Sequence, residues 1–222
     1  VKGKARASTV VDAIKEGFPS LPTDLTFDAN LKDQELNVRS LTFRSGPASM
    51  TSAGRAFLKE KTADFGAQFK LKNTKGLQEL VPHIPDGTCS IAVRGSTDLN
   101  RGIAHVHLKG DAAKLSSSSA IVNEAMGSKP HFQTDLVLDA EHILLKNFSM
   151  QGRHALLDGD ADYSRSSEEY GATCKGTIRK LDAFSTALEI PLAGSVKLDG
   201  SIKGDSRRTE YQVLLTSEIL EI

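Results

Sequence analysis

The chain has 222 residues, with 28 Lys plus Arg against 28 Asp plus Glu, no Trp, and aromatic residues at only 5%. This balance leaves no net field to draw the protein to nucleic acid or acidic lipid, and so few aromatics build no base-stacking platform. No stretch approaches the ~20 apolar residues that span a bilayer, and two cysteines are too few for a disulfide framework.

The start, Val1-Lys-Gly-Lys4, has neither an initiator Met nor an apolar signal core, so the chain reads as a processed or excised piece with any anchor or signal outside it. Residues 9–17 follow with a Ser/Thr cap, apolar residues at helical spacing and a closing glycine, which predicts a short helix. Alternation of period two then takes over, and it marks strands with one apolar face. Breaks at Ser45-Gly46-Pro47, Pro85-Asp86-Gly87 and Asn100-Arg101-Gly102 help divide the first half into six strands, roughly 24–32, 36–45, 48–59, 62–72, 88–97 and 102–111. Their apolar positions include Phe27 and Leu31, Phe43, the run Phe65, Ala67, Phe69 and Leu71, then Ile91 and Val93, then Val106 and Leu108. Gly76-Leu-Gln-Glu-Leu-Val81 interrupts them as a helical turn before Ile84-Pro85.

Residues 119–127 repeat the helical signature of 9–17, and Ser116–Ser119 reads as a helix-capping loop, with no base placed to make a nucleophile. From there the chain says nearly the same thing again, 105 positions on. Phe27 falls on Phe132, Leu31 on Leu136, Phe43 on Phe148, Phe65 on Tyr170, Ile91 on Val196, Val93 on Leu198 and Leu108 on Val213. Leu138 and Tyr211 extend the second apolar set, and Leu181 to Leu188 supplies a helical break before Ile190-Pro191. The layout is 1–23 as a helical leading segment, 24–111 as the first β repeat, 112–130 as a helical connector and 131–217 as the second repeat. Short connections imply antiparallel hairpins. Together they predict a mostly β protein, one long antiparallel sheet curled into an open trough with short helices at one edge or mouth. An odd offset requires each copy to restart its register, because a one-residue slip turns every apolar side chain outward.

What repeats is apolar alternation with glycines between, and almost no charged or catalytic residue. A repeat of this kind encodes a surface that lengthens unit by unit, which points to a conduit, scaffold or binding surface before an enzyme. The same alternation also fits the core of a closed β-sandwich, though a sandwich seldom needs two equal tandem copies.

The remaining constellations have plain readings. His105-Val-His107 has metal-like spacing, but no Cys, Asp or Glu at a matching offset completes a set, so solvent-facing histidines are expected. Asp158-Gly-Asp160-Ala-Asp162 mimics the opening of a calcium loop without its closing ligands, and reads as a strand with an acidic outer face. Gly200-Ser-Ile-Lys-Gly204 lacks the strand-to-helix context of a phosphate loop and reads as a turn in a sheet. Cys89 and Cys174 share the alternation of their neighbours and are expected to be unpaired wall residues. No catalytic residue, metal or cofactor is assigned.

One pattern is more specific: a short Leu-x-x-Leu helix, a Pro turn, then a strand ending in Gly. It reads Leu77-Gln-Glu-Leu80, Pro85-Asp-Gly87 and Ile91-Ala-Val-Arg-Gly95, and again Leu181-Asp-Ala-Phe184, Pro191-Leu-Ala-Gly194 and Val196-Lys-Leu198-Asp-Gly200-Ser-Ile202-Lys-Gly204. In this the chain resembles the TamB family of the AsmA-like superfamily, from about residue 24 to 217. The resemblance implies a trough with an apolar inner face, a periplasmic place in a Gram-negative-type envelope, and attachment to the inner membrane by a segment outside this chain. It implies phospholipid acyl chains as cargo, carried between inner and outer membranes, and an outer-membrane β-barrel partner reached through other regions. It carries no catalytic residues. A secretion or assembly tether handling β-segments is the first rival, and a surface adhesin or passenger built of β-repeats the second.

Overall fold

The computed structural model describes residues 2–3, 23–73 and 86–221. Its strands form one antiparallel sheet in chain order, with no crossover: β1 (Lys2–Gly3), β2 (Thr23–Lys32), β3 (Glu35–Ser45), β4 (Ala48–Phe57), β5 (Thr62–Leu71), β6 (Asp86–Asp98) and β7 (Ile103–Ser116). The order continues through β8 (His131–Leu138), β9 (His142–Gln151), β10 (Ala155–Ser164), β11 (Tyr170–Ile178), β12 (Ala193–Gly204) and β13 (Thr209–Glu221). The sheet is not closed into a barrel: β1 and β13 are its two edges. The protein is thus mostly β, an open trough of antiparallel strands, as the alternation predicts. After the two-residue β1, each copy contributes six strands, and β7 of the first copy pairs directly with β8 of the second.

Local chemistry sets the hairpins. Asp33 and Gln34 both take positive φ (49° and 66°), the conformation of a two-residue turn whose twist matches its strands. At the same end of the sheet, Asp98, Asp139 and Asp205 each open a turn by accepting two backbone amides. The donors are Asn100 and Arg101, Glu141 and His142, and Arg207 and Arg208, at 2.6–3.1 Å.

The opposite end is built differently. It carries two tight turns, at 46–47 and 152–154, and the long connections. The β7–β8 link holds α1 (Ala120–Met126), N-capped by the Ser119 hydroxyl, which accepts from the Val122 amide, and closed by Gly127 at φ 64°. The β11–β12 link holds a 3₁₀ turn (Leu181–Phe184) running into α2 (Ser185–Leu188), which touches α1. The Arg153 and His154 amides donate to the Met126 and Ala125 carbonyls, fixing α1 to the β9–β10 turn. The helices expected at 9–17 and 76–81 lie outside the described residues.

Two findings decide between trough and sandwich. Among the described residues there is one sheet, and the buried apolar side chains are Leu71, Leu181 and Phe184. A sandwich packs two sheets face to face and buries both inner faces. The sandwich is excluded.

One expectation is corrected. Gly200 to Gly204 is no turn but the C-terminal half of β12, paired to Cys174–Tyr170 on one side and Val213–Thr209 on the other. A Cβ on Gly200 would crowd the Cys174 sulfur, and one on Gly204, the last residue of β12, would meet the Arg208 carbonyl and the Tyr170 hydroxyl, so these glycines make room for close neighbours.

Candidate functional site

Directly opposed residues in a sheet share a face, so the register can be followed strand by strand. From Phe69 on β5 the row runs to Ile91, Gly110, Phe132, Met150, Leu157, Gly176, Leu198 and Leu215 on β13. In the other direction it runs through Met50 and Phe43 to Leu25 on β2. No polar side chain interrupts it. A second such row runs Ala29, Val38, Gly54, Phe65, Gly95, Val106, Leu136, Leu145, Ala161, Ala172, Ile202 and Tyr211.

Between them lie Phe27, Leu41, Ser52, Ala67, Val93, Leu108 and Thr134, then Phe148, Gly159, Cys174, Gly200 and Val213. The Thr134 hydroxyl there is buried but satisfied, donating to the Lys146 carbonyl at 3.1 Å. Leu31, Leu138 and Tyr170 stand in a fourth row toward the hairpin end, and Leu71 and Val196 toward the helical end. The register therefore brings the sequence-predicted apolar positions of both copies onto one face.

Steps of ~4.8 Å make this face about 53 Å long from β2 to β13, and four rows at ~6.8 Å make it about 20 Å wide. An area on the order of 1,000 Å² exceeds the 300–600 Å² patch of an ordinary monomer. Its side chains are mostly half-buried, and the described residues form no second layer over them.

The other face is mainly polar. A shallow trench of about 1140 Å³ runs across β3–β8. Its lining takes in two neighbouring polar rows, with Arg55, Asp64 and His105 on one and Arg94, His107 and Asp135 on the other, and the stretch of the second apolar row that runs between them from Val38 to Leu136.

His107 and Asp135 are 2.7 Å apart, on directly paired positions of β7 and β8. Both histidines are exposed, as expected; the acid beside His107 comes from the next copy, a relation that spacing along one strand does not reveal. The Asn147 side chain donates to Asp135 at 2.9 Å, and its amide, in a β9 bulge at φ 54°, donates to Asp160 at 2.7 Å. The hydrogen bonds from Asn147 and His107 hold the Asp135 carboxyl below its ordinary range. The cluster ties β7 to β10 through exposed groups, and no set of three or more metal-type ligands occurs among the described residues. Asp158, Asp160 and Asp162 lie on this polar face of β10, as an acidic outer face requires.

Compared with known protein families, with curated proteins and with solved structures, the chain matches none of them. Among the described residues, no helix is long and apolar enough to cross a membrane.

Proposed function

We propose that the apolar face carries phospholipid acyl chains along the length of the sheet, perpendicular to the strands. One observation carries this reading: two all-apolar rows run unbroken from β2 to β13, and among the described residues no second layer lies over them. Each methylene that leaves water on such a wall gains ~0.8 kcal/mol, so an acyl chain has a path of nearly uniform affinity. No charged group stands in either row to read a headgroup, which makes the path indifferent to lipid class. In this reading the chain is a section of a periplasm-spanning, TamB-like protein serving outer-membrane biogenesis, and the polar face meets water.

Native mass spectrometry of the purified protein tests it. Phospholipid retained on the folded chain, and photo-crosslinked from Phe69 or Val106 but not from Gln68 or His105 on the polar face, is the expected result. A protein that comes away without lipid and crosslinks none added back overturns the conduit in favour of the tether or adhesin readings.

A further inference from the structure

We infer that the outer edge of β13, which no described strand pairs, is a docking site for the first strand of another repeat of the kind already present twice in this chain. The inference does not depend on what the apolar face carries. β7 and β13 occupy equivalent positions 105 residues apart, with Val106 on Tyr211 and Leu108 on Val213. The Ala112 amide donates to the Pro130 carbonyl, so the backbone groups of Val106, Leu108 and Gly110 face β8. On β13, the Asp205 amide donates to the Arg208 carbonyl, which turns Glu210, Gln212 and Leu214 toward β12. Tyr211, Val213 and Leu215 therefore direct their backbone groups to the open edge, in the same phase as β7 toward β8.

Side-chain exposure reports the same vacancy. Val106 and Leu108 are half-buried beside Leu136 and Thr134, whereas Tyr211, Val213 and Leu215 are 81%, 58% and 65% exposed. Sheets ordinarily protect such an edge with a charge, a proline or a bulge. Residues 211–217 contain no charge, no proline and no glycine. The occupant is fixed by the β7–β8 junction: an antiparallel strand with the β8 alternation, Phe132, Thr134 and Leu136 on the apolar face. β2 of a second copy is a poorer fit, since β1 already pairs with its outer edge at Phe27 and Asp28.

The test adds a synthetic peptide of residues 130–139 to the full chain, followed by anisotropy and hydrogen exchange. Saturable one-to-one binding is expected, with exchange at Tyr211, Val213 and Leu215 slowed at least tenfold. A peptide with its odd and even positions interchanged should not bind. Val213→Pro removes an N–H that faces the open edge and spares the β12 ladder, and it should weaken binding at least tenfold with the circular dichroism unchanged. Gln212→Pro, which strikes that ladder, sets the signature of a damaged sheet. No protection at the three amides, or equal binding by well-folded Val213→Pro, overturns the assignment. Concentration-dependent self-association that Val213→Pro abolishes would give the edge to a second copy instead and also overturn it.

Discussion

The ring of Phe65 on β5 lies over Gly95 on β6, in the space a side chain at Gly95 would fill, and Phe132 on β8 does the same over Gly110 on β7. An aromatic opposite a glycine lets one strand cover its neighbour's backbone and keeps the apolar face smooth. Gly95→Ala should push the ring off and cost about 1–3 kcal/mol in urea unfolding, the usual penalty of overpacking. Adding Phe65→Leu should return part of that loss. Strictly additive effects in the double mutant would mean that the ring and the glycine do not interact.

Much of this architecture is legible in the chain because one face is apolar. Alternation locates every strand of both copies to within a few residues, and the 105-residue offset places Phe69 and Cys174 on one face before any register is known. The failures have a common cause. Asp135 meets His107, and Gly200 meets Cys174, through pairing between consecutive strands joined by long connections, and residue type along a single strand carries no record of its register on the next. The two-ended character of the sheet is half visible: Ser119 and Gly127 announce α1. That α1 rests against the β9–β10 turn and touches the 181–188 segment follows only from the topology.

The turn aspartates give the protein a definite acid limit. Backbone amides of Arg207 and Arg208 hold the Asp205 carboxyl below its ordinary range, and those of His142 and Glu141 do the same for Asp139. A carboxyl depressed on folding contributes stability that is present above its unfolded value of about 3.9 and is lost as pH falls through the lower folded value. Asp205→Asn should therefore be less stable than the parent at neutral pH, and the gap should close as pH falls through the depressed folded value. A gap between the denaturation curves that stays constant down to pH 2 would contradict the assignment.

Cys89 on β6 and Cys174 on β11 are five strands apart, about 24 Å at ~4.8 Å per strand, where a disulfide tolerates about 7 Å between Cα atoms. The intact mass under non-reducing conditions should show both thiols. Burial, and then the charge of Asp111, push the Cys89 thiol above its ordinary value, leaving little thiolate to react. Alkylation of Cys89 at pH 8 should accelerate in Asp111→Asn, and an unchanged rate would remove Asp111 as a cause. A mass lower by two protons would break the strand order itself.

A charge in the middle of an apolar row separates a surface that binds from a core that merely packs. Phe69 lies inside its row, with Met50 on one side and Ile91 on the other, and is flanked along β5 by Ala67 and Leu71 on the same face. Phe69→Asp puts a carboxylate in the proposed acyl path, where an unpaired charge costs at least a few kcal/mol to strip of water. Without lipid the carboxylate stays hydrated, because Phe69 is only half-buried and no second sheet among the described residues covers it. Unfolding should therefore shift by about 1–2 kcal/mol, whereas a charge in a closed core exceeds about 4. Phe184→Ala supplies the reference for a packed site: Phe184 is 3% exposed, and its truncation should cost about 3–5 kcal/mol. Lipid crosslinking from Phe69→Asp should fall to background while Phe184→Ala, at a temperature where it remains folded, keeps it. Crosslinking that survives the charge would refute acyl passage along this row, and a loss of stability as large as that of Phe184→Ala would mean that the face is covered.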